Sequence, residues 1–369
     1  MEFVLDDDQR ELQATVRGIV DKECTIAFVR SVIDDGVDPG PWWRTMTELY
    51  WPALAIPEAD GGLGLGWVEL ALLVEELGRA QDPSPFVATT TQFVPAVRHC
   101  GDAAQALRWS AAVAAGEVVG ALALGHVAGH GSVTATAVDG GWRLNGTARY
   151  VVEADRADAI AVAAEGPDGL AVFVVERATA GSGLTCEMIP VFDHAVHIGT
   201  LAFDGVDVPS DARLRGADVA GGVTAALDEA TLGWATATVG ACQRILDLAL
   251  AHVREREQFG VKIGSFQAVK HKAVDVYVAI ERARALCQYA ALCLAEGDDR
   301  ASIAVSMAKA AAGDCQDVSV RHGVQLFGGM GFTWENDVQI AARRAKLGAQ
   351  MFGSTGEHRR RIAREVLAR

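Results

Sequence analysis

Two stretches of the chain combine side chains that grip anions with glycines that let a ligand come close. In REREQFGVKIGSFQAVKH, Arg254 to His271, an amphipathic helix runs into an Arg/Gln/Phe/Gly cluster before a second helix begins. A helix–turn–helix with Gly260 as C-cap accounts for the glycine. It does not account for Arg256 and Gln258 projecting at the turn, which is chemistry suited to holding a phosphate. In VQLFGGMGFTWE, Val324 to Glu335, a helix ends at Gly328 and Gly329, with Gly331 close behind. Capping is the plain structural account; the functional one is close backbone approach to a flat or charged ligand, which needs positions without side chains. Neither stretch is a dinucleotide fingerprint, because the spacing is not G-x-G-x-x-G and no strand precedes it. GGLGLGW near Gly61 fails the same test.

A third candidate lies near the end, in AQMFGSTGEHRRRIAREVLAR, where Glu357 precedes a basic helix-like tail. Ser354 and Glu357 have the S-x-x-E spacing of a capping box, so Glu357 is read as starting the last helix and not as a catalyst. His126 and His130, four apart, and His194 and His197, flanking a turn, lack a third ligand at metal spacing, and no metal site is assigned. No G-x-S-x-G or Cys/His nucleophile signature is present.

The elements that must carry these residues follow from periodicity. From Asp6 to Lys22, Leu12, Val16, Ile19 and Val20 share a helical face behind an acidic start. After the glycine-rich turn PEADGGLGLG, Leu70, Leu73, Val74 and Leu77 repeat that spacing, so residues 1–115 are predicted helical. The period then changes. SVTATAVDGGWRLNGTARYVV is β-branched and broken at Asp139-Gly140-Gly141 and at Asn145-Gly146, both read as turns. AIAVAA, LAVFVVE and HIGTLAFDGVDVP continue as short strands, giving a β domain over 116–217. From 218 to 369 long helices return. Val239, Cys242, Leu246, Leu250 and Val253 form one stripe, and SIAVSMAKAAAGDCQDVSVRHGVQLFGG is a second long helix. The predicted class is α+β, ordered helical, β, helical.

Composition narrows the function. A chain of 369 residues buries a sizeable core, and its net charge of −15 argues against nucleic acid and anionic membrane surfaces. MEFVLDDDQRELQ has no signal-peptide pattern. WSAAVAAGEVVGALALG, Trp109 to Gly125, is interrupted by Glu117 and falls short of a membrane span. Seven dispersed cysteines with no Cys-x-x-Cys pair suit reduced thiols, so a cytoplasmic protein is expected.

Taken together, REREQFGVKIGSFQAVKH, QLFGGMGF, PEADGGLGLG, DGGWRLNG and FDGVDVP resemble the acyl-CoA dehydrogenase family, in order and over nearly the whole chain. The resemblance implies an N-terminal helical domain, a middle β-barrel or sandwich and a C-terminal four-helix bundle. It implies FAD as cofactor, an acyl-CoA thioester as substrate and an electron-transfer flavoprotein as electron acceptor. A carboxylate takes the α-proton while the β-hydrogen leaves as hydride to the flavin. In the family the C-terminal domain of one subunit holds the adenine and pyrophosphate end of its neighbour's FAD. Carried over residue by residue, that role falls to Arg256, Gln258, Phe259, Gln325, Gly328 and Gly329.

The chain departs from the family where its own chemistry would lie. The usual Tyr-Glu-Gly-Thr, whose glutamate is the base, is Phe352-Gly353-Ser354-Thr355 here. A minority of the family places the base on the first long C-terminal helix, beside an arginine. In LDEATLGWATATVG that register falls on Ala230 and Thr231, with Glu229 one residue, or about 100°, away. Glu229 is the one candidate base, and the catalytic residue is otherwise open. The flavin-ring segments are altered too: LGHVAGHGSV replaces Thr-Glu-Pro with its following Gly-Ser, and Tyr150-Val151-Val152 replaces Trp-Ile-Thr, losing a hydroxyl. The expectation is a subunit of a hetero-oligomeric, tetrameric acyl-CoA dehydrogenase of lipid or steroid side-chain breakdown, completing a partner's FAD site. The alternatives are a self-sufficient homo-oligomer using Glu229 and a scaffold of the same fold without FAD.

Overall fold

The computed structural model describes residues 5–127 and 129–367. The first four residues of MEFVLDDDQRELQ, Ala128 within LGHVAGHGSV and the last two residues of the tail lie outside the described residues.

Helices come first along the chain: α1 Asp7–Glu23, α2 Ile26–Asp35, α3 Gly40–Glu48 and α4 Trp67–Ala80. A short α5, Phe86–Ala88, runs through a π-helical turn at Thr89–Phe93 into α6, Val94–Cys100, before α7, Ala103–Ala114. Asp6 caps α1, accepting from Gln9 N while the Gln9 side chain accepts from Asp6 N. Val16 and Val20 of the predicted stripe are buried, as are Leu70, Leu73, Val74 and Leu77 in α4.

The strands are β1 Gly120–Leu124, β2 Gly131–Val138, β3 Gly141–Val152, β4 Ala159–Gly166, β5 Gly169–Glu176, β6 Leu184–Met188 and β7 Ile198–Pro209. They form one seven-stranded mixed sheet in the order β1-β4-β2-β3-β7-β6, with β5 paired to β4. Asp139-Gly140 turns β2 into β3, with Gly140 at φ 81°. Asn145-Gly146 does not turn. It lies inside β3 at a register shift against β7, where Gly146 adopts φ 122° and a Cβ would fall 2.0 Å from the Ser132 carbonyl. The glycine therefore serves a bulge and a close backbone approach, and the Asn145 side chain accepts from Gly205 N at 2.9 Å.

Helices then return: α8 Val219–Glu255, a two-residue-stranded hairpin of β8 Glu257–Gln258 and β9 Val261–Lys262, α9 Gln267–Ala295, α10 Ala301–Phe327, α11 Val338–Gln350 and α12 Thr355–Leu367. No helix among the described residues is long and apolar enough to cross a membrane.

The chain packs as two compact units. One takes the residues up to Val37, Gly66–Pro83 and those from Thr231 onward. It holds α1, α2, α4, most of α8 and all later helices, and its interior contains charge as well as hydrocarbon. Glu76, 1% exposed, binds Arg17 and Arg79, and the buried Glu75 binds Arg284 at 2.8 Å. The other unit takes Asp38–Leu65 and Ser84–Ala230. Its core lies on the sheet, around Leu144, Ile160, Val162, Phe173 and Leu201.

Candidate functional site

The helix α8 ends at Glu255 and the chain reverses in a hairpin, not in a bare helix–turn–helix. Gln258 pairs with Val261, so Phe259 and Gly260 are the two central turn residues, with φ 56° and 80°. Positive φ at both positions is what a type I′ turn demands. Gly260 is thus a hairpin residue and not the C-cap expected from the sequence. Phe259 has the left-handed backbone that aromatic side chains avoid, and its ring is 93% exposed. The hairpin is clamped at its base, where Ile263 N donates to the Arg256 carbonyl at 2.9 Å and Lys262 pairs with Glu257 at 2.9 Å. Below it Ala249, Val253 and Leu326 form a small apolar cluster with Ile263, Val269 and Phe327 packed on it. That cluster fixes the ends of α8 and α10 and the start of α9 around one opening.

The opening is a cavity of about 530 Å³, lined by all six of the residues carried over from the family, Arg256, Gln258, Phe259, Gln325, Gly328 and Gly329. Gly328 ends α10 with φ 61° and ψ −139°, its N–H donating to the Gln325 carbonyl. A β-carbon on Gly328 or Gly329 would meet nothing within 4 Å. Side chains there would stand in the open cavity, so the glycines leave backbone accessible to a ligand. The Gln258 amide donates to the Glu257 carbonyl at 2.7 Å, which fixes its plane at the rim.

Among the lining residues that sequence reasoning missed, three carry chemistry a ligand could use. The ring of His252 stacks on Phe327, centroids 4.6 Å apart and planes at 26°, and makes an aromatic wall. Burial and then the Arg256 charge hold the imidazole below its usual pKa, which favours the uncharged ring. Lys272 reaches the cavity from α9 one turn after Ala268 and Val269. The spacing of FQAVKHK, with 268, 269 and 272 at helical intervals, was the signal available.

The proposed FAD fragment fits this lining on three counts: open glycine backbone, cations and aromatic faces. A diphosphate and a flat ring are the ligand groups whose chemistry matches these features.

The catalytic candidates lie elsewhere. Glu357 Oε2 accepts from the backbone N–H and the hydroxyl of Ser354, at 2.7 and 2.8 Å. Those bonds hold its carboxyl below the usual range. It caps α12, as the spacing predicts. At Gly353, where the family pattern has glutamate, the backbone has φ 108°. A β-carbon there would sit 3.0 Å from Nε2 of His358. Glu229 is 7% exposed, and its carboxylate lies 2.5 Å from Nε2 of His99 on α6. In the sheet, Val152 is buried at the end of β3, while His130 meets Tyr150 edge-on with centroids 5.7 Å apart. Among the described residues no group of three or more His, Cys, Asp and Glu is arranged to hold a metal ion.

Comparison with known proteins gives a consistent answer. The family model for the acyl-CoA dehydrogenase N-terminal domain matches residues 6–117, and that for the C-terminal domain matches residues 220–367. Acyl-CoA dehydrogenase IpdE2 of Mycobacterium tuberculosis is 30% identical over 363 residues, covering 98% of both chains. A chain of the ChsE4-ChsE5 complex from Mycobacterium tuberculosis superposes with a TM-score of 0.90 at 28% identity, covering 100% of this chain and 99% of that one. A chain of the Tcur3481-Tcur3483 steroid ACAD, in a G363A variant, does so with a TM-score of 0.86 at 28% identity and 98% coverage of each.

Proposed function

The chain belongs to the acyl-CoA dehydrogenase family, and on that premise we propose that it is the non-catalytic subunit of a heteromeric acyl-CoA dehydrogenase. Its task is to complete, through the α8–α9 cavity, the adenine and diphosphate half of a partner subunit's FAD site. The observation that carries this reading is an asymmetry. The cavity offered to a neighbour keeps Arg256, Gln325 and the paired glycines, whereas the chain's own base position is a glycine, without a carboxylate, whose φ and His358 contact disfavour a longer side chain.

FAD, when bound, would supply the acceptor for the hydride that leaves the β-carbon of an acyl-CoA thioester. The residues of this chain bind and orient. Arg256 presents a planar fork of N–H donors to phosphate oxygens. Gly328 and Gly329 bring backbone close, and the His252–Phe327 wall offers a flat apolar surface. Phe259, fully displayed on its strained turn, is placed to bury its ring against the arriving subunit. The base and the contacts to the flavin ring come from the partner. Bulky acyl groups, such as a steroid side chain, are the substrate class favoured by the likeness to the steroid ACAD neighbour. Electrons then leave to an electron-transfer flavoprotein.

One observation favours a second reading, a self-sufficient enzyme using Glu229: a buried carboxylate against an imidazole is an arrangement able to move a proton. A bare scaffold is disfavoured by the open, cation-lined cavity. The deciding experiment is the visible spectrum of the purified chain. Flavin absent from the chain alone and present when it co-purifies with a second acyl-CoA dehydrogenase-like chain agrees with the subunit reading. A full complement of flavin that bleaches on adding an acyl-CoA rejects it in favour of the second.

A further inference from the structure

We propose that Lys272 is the second anion-holding residue of the cavity, acting with Arg256 to select a ligand that carries a diphosphate. This rests on the subunit reading above and goes beyond its six residues.

The charge pattern is what points there. The chain has 48 aspartates and glutamates against 33 lysines and arginines, yet the cavity is lined by Arg256 and Lys272 and by no carboxylate at all. Of the nearby acids, Glu255, whose charge acts on His252, does not line the cavity, and two others have partners of their own. Glu257 pairs with Lys262 across the hairpin, and Asp275, one turn along α9 from Lys272, faces His322 at 3.8 Å. Neither Arg256 nor Lys272 has an ion-pair partner among the described residues. Two like charges brought to one half-enclosed space repel each other, and lysine is half-buried there. A dianion relieves both.

The two cations also arrive from different directions. Arg256 follows the last turn of α8, while Lys272 stands on α9 on the same face as Ala268 and Val269. Arginine grips in a plane and lysine acts as a mobile point charge. Such a pair suits two linked phosphates, each with its own cation, while the side-chain-free edge at Gly328 and Gly329 leaves room for the phosphate oxygens. A neutral nucleoside would draw on the aromatic wall and on neither cation.

The test uses the purified full chain and two probes, ADP-ribose and adenosine, titrated by ligand-observed NMR at low and high salt. Lys272→Met is expected to weaken ADP-ribose binding about tenfold, the worth of one charge-assisted hydrogen bond. It is also expected to flatten the salt dependence and to leave adenosine binding unchanged. Lys272→Arg should restore most of the loss. If Lys272→Met binds ADP-ribose as tightly as the parent while Arg256→Met does not, the proposal fails and the subunit reading stands. If the parent chain binds no ADP-ribose at millimolar concentration, the proposal fails too. The flavin spectrum of the co-purified complex then decides the subunit reading separately.

Discussion

Gly353 and His358 meet at the start of α12. His358 Nε2 donates to the Phe352 carbonyl at 2.9 Å and would stand 3.0 Å from any β-carbon on Gly353. The ring is itself buried, with Nδ1 toward the Ser306 hydroxyl at 3.4 Å, so it cannot swing aside cheaply. The position that carries a glutamate in the family pattern is disfavoured for a side chain in this chain by backbone shape and by a neighbour.

Restoring the glutamate is therefore expected to fail. Gly353→Glu puts a side chain on a backbone at φ 108° and pushes against His358, and each is a cost of about 1 kcal/mol or more. A melting temperature several degrees lower, with no gain in acyl-CoA-dependent flavin bleaching by the complex, is the expected result. Restored bleaching at unchanged stability would show that only the missing carboxylate keeps the site silent.

Glu229 gives the complementary case. Its carboxylate is buried and engaged by His99, so Glu229→Gln, which keeps the shape and one hydrogen bond, is expected to leave turnover of the complex within about twofold. A fall of a hundredfold or more in kcat, with flavin still bound, would make Glu229 the base and this chain an enzyme in its own right.

How much of this was legible beforehand depends on the kind of signal. The stripe of Val16 and Val20 and that of Leu70 to Leu77 were readable, because burial of one helical face leaves a periodic trace. The six cavity residues were readable by likeness of motif. Asn145-Gly146 misled, since the same glycine that permits a turn also permits a bulge, and only the cross-strand neighbour decides between them. The hairpin at Phe259-Gly260 was hidden because phenylalanine is not a residue expected at positive φ. Helix crossing was hidden entirely. A β-carbon on Gly240 would lie 2.0 Å from the Glu75 carbonyl, and one on Gly78 would lie 2.3 Å from the Ala237 carbonyl. Nothing local in ATVGACQ announces that α4 and α8 touch backbone to backbone there.

That crossing is directly testable. Gly240→Ala adds one methyl where no side chain can move out of the way, and a loss on the order of 2–3 kcal/mol is expected. Gly260→Ala, with open space around it but φ 80°, is expected to cost only about 1 kcal/mol. Urea unfolding of both variants compares a packing cost with a conformational one. Equal losses would mean that the two helices part easily.

Phe259 separates stability from function. Asparagine and glycine take positive φ more readily than phenylalanine, and a 93% exposed ring contributes little packing to the isolated chain. Phe259→Asn is expected to stabilise the chain alone by about 1 kcal/mol while lowering the flavin retained by the complex. A variant that is both more stable and equally well loaded would show that the displayed ring meets no partner.

The last prediction concerns Lys309, whose ammonium group is fully buried in α10 and donates to the Gly348 carbonyl at 2.8 Å. Burial, only slightly opposed by Cys287, pulls its pKa down from 10.5 to about 7. The unfolded chain therefore keeps a proton between pH 7 and 10.5 that the folded chain has released. Stability rises where the unfolded state binds more protons, so this lysine makes the fold gain stability with increasing pH across that window, by up to about 1.4 kcal/mol per pH unit. Below pH 7 the amine is charged in both states and the penalty of burying it is carried in full. Replacement by methionine leaves the Gly348 carbonyl without its donor, which shifts the stability at every pH by a constant amount. The slope is the quantity to read. Urea midpoints at pH 7.5 and 9.5 should move further apart for the parent chain than for Lys309→Met; parallel shifts in the two proteins would mean that Lys309 is folded with its proton on throughout.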